Sequence, residues 1–446
     1  MRKPSRHAGT RRKRLFTVII ITSFLVPIAA SLAFSSVDSG AILDTLGGNQ
    51  LVNTSPETSA IADMLADEAD GYTFGSTVEY NVDYRWDFSA THYNQKEFWF
   101  PRINNHSART FPGMPNIQES YLLDNRSNYN DFAFPDYQFD PQDDYNNTYD
   151  YYSARLGGAT ENFQFNATYN TTIRAINWDI DKSTIGEYDT SSPIYRNYTG
   201  AENMLEADDP VLIALSNSIC AGKDSVVDNA SAIYKWLANE ENMQYEVQTT
   251  ELSAREAYDQ GKGDCSEFSN LMVTLLRIQG IPARKVLGLL IVEQTEDGWK
   301  QINSPSIGES WEYSVVYDGS TATFNMPGHA WIEYYVPGYG WIQCDPTNDN
   351  YFNRNDFTHL YVTVGENFGG GIDPSLPSPE TELCLLPDYN SPGSEQFTLT
   401  IEITVTDVNM VYDNNLWIFI AIFVVVSLLI IVISVVMKNR KSKMDY

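Results

Sequence analysis

The chain has 446 residues, of which 43% are hydrophobic, 13% aromatic and 20% charged, with a formal charge of −29. That length holds two or three domains with cores of their own, the apolar share excludes a wholly disordered chain, and four cysteines are too few for a disulfide-stapled miniprotein. The acidity argues against nucleic-acid binding, because neutralising phosphates needs a basic face.

The chain opens with Arg2, Lys3, Arg6, Arg11, Arg12, Lys13 and Arg14, followed by an uncharged stretch from Leu15 to Phe34. Residues 1–34 read as a signal peptide or a signal anchor. Pro27 and the small-x-small triplet Ser31-Leu32-Ala33 favour cleavage, and either reading exports the chain beyond it. Residues 35–71 read as a linker. Residues 72–182 read as a β-rich extracellular domain. In Thr77–Phe88, Phe163–Tyr169 and Thr171–Ile180 apolar residues alternate with polar ones, the period of half-buried strands. An antiparallel β-sandwich is expected, with the Tyr/Asp/Asn-rich stretch Asn125–Tyr152 as loops. Eight Asn-x-Ser/Thr sequons, at Asn53, Asn105, Asn125, Asn146, Asn166, Asn170, Asn197 and Asn229, all lie before residue 230 and agree with export.

Residues 205–365 form the next unit. Asp209-Pro210 has the form of an N-cap and first helical residue, with Leu212, Ile213, Leu215 and Ile219 as a helical stripe. Asp224 is expected to cap a second helix with Val226, Val227, Ala230, Ile233, Tyr234 and Leu237 turned inward. Residues 366–395 are a Gly/Pro linker, and 396–415 a strand and juxtamembrane segment. Leu416–Met437 is 22 residues without a charge, long enough for a transmembrane helix. Lys438, Arg440, Lys441 and Lys443 come directly after it, so 438–446 is expected to be a basic cytoplasmic tail below an outward-facing ectodomain. Residues 35–415 then carry −39 and the flanks +10. That field is expected to push the pKa of His329 up.

The chemistry concentrates between Gly261 and Asp345, beginning with Gly261-Lys-Gly-Asp-Cys-Ser-Glu267. Cys265 stands at the start of a helix with Phe268, Leu271, Met272, Leu275 and Leu276 as its buried stripe and Gly280 as its end. Free N–H groups and the helix dipole at that position stabilise a thiolate, and the same amides could hold an oxyanion. Gly328-His-Ala-Trp-Ile-Glu333 reads as a strand, with Trp341-Ile-Gln-Cys-Asp345 as the next strand across a Pro337-Gly338 turn. His329 and Asp345 can then meet on neighbouring strands, giving Cys265, His329 and Asp345 the parts of a nucleophile, a base and an orienting carboxylate.

This block resembles the transglutaminase-like superfamily of papain-related Cys-His-Asp enzymes over roughly Asp209–Val364, about a third of the chain. Three motifs carry the resemblance: Gly263-Asp-Cys265 with Leu275-Leu-Arg277 and Gly280-Ile-Pro-Ala-Arg284; His329-Ala-Trp-Ile-Glu333; and Gly340-Trp341 with Asp345-Pro-Thr347. The resemblance implies an α+β fold, with a Cys-bearing helix packed on an antiparallel sheet. It implies Cys265 as nucleophile, His329 as general base and acid, and Asp345 as orienter. A preceding β domain and a membrane anchor are common partners of this core.

The stretch from Val292 to Met326 is longer than the motifs need and is expected to form an extra hairpin near the cleft. Tyr245 and Trp236 are candidates for a side-chain oxyanion donor, with packing as the bland alternative for both. Arg284 and Glu333 read as structural ion-pairing residues and Cys344 as core. Export permits a disulfide, for which Cys220–Cys384 is the least awkward pair. No cofactor or metal enters: spacings of 64 and 16 residues match no compact zinc pattern. The expected activity is acyl transfer on amides of a protein or peptide substrate through a Cys thioester, with hydrolysis favoured over crosslinking. The alternative is a catalytically silent surface adhesion or envelope protein. The bilayer is the other expected partner, through the C-terminal helix.

Overall fold

A computed structural model describes residues 71–91, 95–109, 114–125, 137–139, 142–143, 145–155, 158, 160–248, 250–296, 298–365, 388–389 and 394–411. The segments 15–34 and 416–437 lie outside these residues, as do Asn53, Cys384 and most of 366–395. Among the described residues no helix is long and apolar enough to cross a membrane.

In chain order the first strands are β1 (Tyr72–Thr91), β2 (Gln95–Pro101), β3 (Gln118–Asn125), β4 (Tyr137–Phe139), β5 (Tyr149–Arg155) and β6 (Thr160–Trp178). Next are α1 (Pro193–Tyr198), α2 (Pro210–Ile219), α3 (Val226–Leu237), β7 (Gln244–Tyr245), α4 (Ala254–Gln260), β8 (Lys262–Gly263) and α5 (Cys265–Ile278). After these come β9 (Ala283–Leu290), β10 (Val292–Thr295), β11 (Gly298–Gln301), β12 (Ser310–Tyr317), β13 (Ala322–Asn325) and β14 (Gly328–Val336). The last are β15 (Gly340–Cys344), β16 (Arg354–Asn355), β17 (His359–Val364), β18 (Asp388–Tyr389) and β19 (Ser394–Asn409).

The alternating residues of Thr77–Phe88 lie in β1, where Val78, Tyr80, Val82, Tyr84, Trp86 and Phe88 are buried and their neighbours face outward. β1 is central in a sheet ordered β13-β12-β19-β1-β6-β16, with β3 also on β6. A second sheet, β18-β2-β5-β4, joins it over an aromatic core. Phe100 stacks on Phe165 with centroids 4.0 Å apart, and Trp86 meets Phe98 and Phe100 edge-on. Such pairs add about 0.5–1.5 kcal/mol each beyond their buried area.

Two expectations change here. The stretch Asn125–Tyr152, read as loops, contains β4 and the start of β5. Tyr149, Tyr151 and Tyr152 are buried there, and aromatic burial outweighs the turn-forming Asp and Asn between them. The lone strand expected before the membrane is β19, paired along nearly its whole length with β1 (Phe88↔Phe397, Tyr84↔Ile401) and on its other side with β12 (Tyr313↔Ile401). The long sheet therefore draws strands from before and after the Cys265 segment. The insertion after Val292 forms the β10–β11 hairpin, but then sends β12 and β13 into that sheet.

The second core lies around α5. Its Phe268, Leu271, Met272, Leu275 and Leu276 pack with Ala230, Ile233 and Leu237 of α3 and with Trp331 and Ile332 of β14. Asp209 caps α2 through the amides of Val211 and Leu212, as the sequence predicts. The cap of α3 is Ser225, not Asp224: its hydroxyl accepts from the Asp228 amide, a bond with Asp228 at N3 that Asp224, one residue too early, does not make. Gly280, at φ +70, closes α5. Its amide donates to the Arg277 carbonyl and the Ile281 amide to the Leu276 carbonyl, so the chain turns at once into β9. The sheet β15-β14-β9-β17 carries the rest of the site.

Candidate active site

Cys265 is the first residue of α5. Asp264 caps the helix by accepting from the Ser266 amide at 3.1 Å, and Glu267 reaches back to accept from the Asp264 amide at 2.7 Å. The same Glu267 carboxylate accepts from the Leu252 amide at 2.8 Å, tying the preceding loop to the helix start. This requires glycine at 263: a Cβ there would lie 2.2 Å from the Glu267 Cβ. The cap thus holds Cys265 where its own amide is free of intrahelical bonds. The thiol is half-buried.

His329 on β14 is 8% exposed, and its Nε2–H donates to Asp345 Oδ2 at 3.0 Å. With Nε2 so engaged, Nδ1 is the nitrogen left to serve the Cys265 thiol, whose proximity adds to the upward push on His329. Burial pulls the imidazolium down, but the Asp345 charge and hydrogen bond, followed by Cys265, outweigh it and hold His329 at about 10. The upward direction matches the expectation, but its cause is the adjacent carboxylate rather than the diffuse field of the acidic surface. Asp345 is fixed in turn by Thr347, whose amide and hydroxyl donate to Oδ1 at 3.0 and 2.6 Å. Burial pushes its carboxyl up, and His329 with His359 more than reverses this, leaving it well below the usual carboxylate range.

His359 and Asp356 were not singled out in the sequence. His359 on β17 brings its Nε2 to 3.6 Å from Asp345 Oδ2, on the oxygen that His329 uses, while its Nδ1–H donates to Asp356 Oδ1 at 2.9 Å. Asp356 also accepts from the Thr358 amide and hydroxyl, the Gln301 amide nitrogen at 2.8 Å and the Tyr351 hydroxyl. Burial lowers the pKa of His359, but Asp345 and Asp356 outweigh it and the net shift is upward. The Asp-x-x-His spacing was the available signal, but it has no meaning until β17 is placed beside β9. Trp331 packs edge-on against His359 with centroids 5.1 Å apart and lies near-parallel to His329 at 5.9 Å. His329, Asp345 and His359 each present one ligating atom within 4.8 Å of the others. Binding a metal there would take the Nε2 that His329 gives to Asp345.

The remaining candidates separate. Glu333 Oε2 pairs with Arg284 at 2.7 Å, and its Oε1 accepts from His106 at 2.6 Å and from Gln343 at 2.9 Å. Burial raises the Glu333 carboxyl, but His106 and Arg284 bring it down to about 2. The Arg284 guanidinium stacks 4.0 Å from the Trp341 ring. These residues serve the β9–β14–β15 sheet and do not meet Cys265, as expected. Cys344 is fully buried in the core. Cys220 carries a free thiol, packed between α2 and α3 and 4.0 Å from the Asn229 carbonyl. Cys384, its expected partner, lies outside the described residues; in the helical core Cys220 packs as a small apolar residue.

Trp236 packs on Tyr258, with centroids 6.2 Å apart. Tyr245 differs: its ring is 59% exposed, and burial of the hydroxyl followed by the Cys265 charge pushes its pKa upward. It borders a cavity of about 580 Å³ together with Met243, Phe268 and the Pro346–Asn350 turn just after Asp345.

Residues 213–346 match the family model described as the transglutaminase-like superfamily. An uncharacterized protein of Bacillus subtilis, YebA, is 26% identical over 171 residues, which is 36% of this chain and 21% of that protein. A protein-glutamine gamma-glutamyltransferase of Pseudomonas aeruginosa is 29% identical over 90 residues, 20% of this chain and 10% of that one. The chain thus spans about a fifth or less of the length of these curated relatives. Among solved structures, a protein of Cytophaga hutchinsonii described as a candidate cysteine protease aligns with a TM-score of 0.47 at 16% identity, covering 77% of this chain and 97% of that one. The periplasmic domain of TgpA from Pseudomonas aeruginosa aligns at 0.29 and 13% identity, covering 60% and 87%. Residues 213–346 are a transglutaminase-like superfamily domain, here an α+β fold with antiparallel sheets.

Proposed function

We propose that the protein is a membrane-anchored, outward-facing thiol enzyme acting on amide bonds, with Cys265 as nucleophile, His329 as base and acid, and Asp345 as orienter. The carrying observation is that buried His329 is hydrogen-bonded to the Asp345 carboxylate and feels Cys265, the first residue of a capped helix. The thiol proton passes to His329, sulfur bonds to the amide carbonyl carbon, and the oxyanion lies near the Cys265 amide. His329 then returns the proton to the departing nitrogen as the C–N bond breaks, leaving a thioester. Water, deprotonated by His329, attacks that thioester and releases a carboxylic acid and the thiol. The half-buried thiol leaves water a path to the thioester, which favours peptidase or amidase action over amine transfer.

Anchoring rests on Leu416–Met437 and its basic tail, and the outward location on that charge order. The same reading makes a protein or peptide the substrate and the bilayer a partner. The test labels the full-length protein and its Cys265→Ala variant with an iodoacetamide probe at neutral pH, then assays glutamine peptides with and without added amine. Labelling of Cys265 faster than an ordinary thiol, with ammonia or amine release lost in Cys265→Ala, supports the enzyme. Slow labelling leaves the silent-adhesin alternative. Amine incorporation outpacing hydrolysis replaces the hydrolase reading with transamidation.

A further inference from the structure

The short strand β7 has one free edge, and that edge lies beside Cys265. β7 pairs in parallel with β8 alone (Gln244↔Lys262, Tyr245↔Gly263). The Gln244 amide donates to the Gly261 carbonyl at 2.9 Å and the Glu246 amide to the Gly263 carbonyl at 2.8 Å. In a parallel ladder, alternate residues turn their peptide groups toward the partner. Residues 244 and 246 face β8, so the N–H and C=O of Tyr245 point the other way, where no described strand pairs with them. Tyr245 and Val247 are 59% and 74% exposed, an unusual exposure for large apolar side chains. β8 ends two residues before Cys265, and the Tyr245 hydroxyl feels the Cys265 charge.

The cavity of about 580 Å³ at this edge has a one-signed lining. Its charged residues are Glu240 and Asp349, both exposed, and it contains no lysine or arginine. The nearby Lys262 is neutralised by Glu246. We propose that the Tyr245 edge receives an extended peptide segment as an added strand, and that Glu240 and Asp349 select a lysine or arginine side chain on it. An added strand gains affinity from main-chain hydrogen bonds and specificity from alternate side chains, which suits a backbone donor and acceptor flanked by Tyr245, Val247 and a negative cavity. This deepens the reading of Cys265 as nucleophile, on which it rests, by defining the segment carried past the thiol.

The test measures fluorescence anisotropy of labelled octapeptides on the full-length Cys265→Ala protein. One peptide carries two lysines, a second has glutamates in their place, and two more carry the lysines with N-methyl groups on alternate residues in each of the two frames. The lysine peptide is expected to bind about fivefold or more tighter than the glutamate peptide. One N-methylated frame is expected to lose about tenfold or more while the other binds like the parent. Glu240→Gln with Asp349→Asn, both at exposed positions, removes the lysine preference. Equal binding of the lysine and glutamate peptides, no loss in either methylated frame, or no binding of the lysine peptide overturns the proposal. Binding is read without the thiol, so its failure leaves fast iodoacetamide labelling of Cys265 standing, and slow labelling leaves the binding result standing.

Discussion

Replacing Asp345 by asparagine removes the charge and leaves one acceptor oxygen, enough for the Thr347 amide and hydroxyl on Oδ1 or for His329 on Oδ2 but not for both. His329 is held at about 10 against an ordinary 6.5, although its burial acts in the opposite direction. At about 1.4 kcal/mol per unit, Asp345, with a smaller contribution from Cys265, stabilises the imidazolium by about 5 kcal/mol net of burial. In Asp345→Asn the burial remains and the main opposing charge is gone, so His329 is expected to titrate at or below its ordinary value. The raised His329 stabilises the fold fully below about pH 6.5, and this contribution fades as pH rises through its folded value. The depressed Asp345 contributes above about pH 4 and loses its contribution as pH falls. The wild-type protein should therefore exceed the variant in urea stability most between about pH 4 and 6.5. Histidine-selective NMR reads the titration directly, since the chain holds five histidines. A wild-type His329 titrating between about pH 6 and 7, or one that Asp345→Asn leaves unmoved, would refute the reasoning.

Three further outcomes rest on other contacts. His359→Phe strips the buried Asp356 carboxylate of its imidazole partner and should cost about 3–5 kcal/mol in urea unfolding, with a loss under about 1 kcal/mol counting against the pairing. Gly263→Ala places a methyl 2.2 Å from Glu267 Cβ and should lower stability by about 1–3 kcal/mol, with slower thiol labelling of Cys265; unchanged values would mean the cap can shift freely. Non-reducing peptide mapping after alkylation in denaturant should recover Cys220 alkylated, and recovery in a disulfide would contradict its free thiol.

The helix bearing Cys265 was legible because its signals are local. The Phe268–Leu276 stripe and Gly280 as terminator each act within a few residues, whereas the Asp264 cap, just as local, went unread. The Ser253-Ala-Arg-Glu256 capping box of α4 was equally local and went unread; there the hydroxyl accepts from the Glu256 amide and the Glu256 carboxylate from the Ser253 amide. His329 and Asp345 were also within reach, because a short hairpin brings β14 and β15 into register (Ile332↔Cys344), which aligns the residues around them. Reach failed with sequence distance. Lys96 is buried against Glu395 in an ion pair that spans most of the described chain, and no local pattern announces it.

Period-two alternation and helical stripes thus mark segments such as β1, β6, α3 and α5 and their inward faces, since side-chain geometry repeats over two or 3.6 residues, although β4 and the start of β5 escaped them. They are silent on which strand pairs with which. β19 beside β1, β12 beside β19, His359 behind Asp345 and the edge of β7 that no described strand pairs with all depend on contacts between residues from 14 to more than 300 positions apart. Those contacts form where burying two faces together outweighs the entropy of closing the intervening chain, and that balance belongs to the assembled fold.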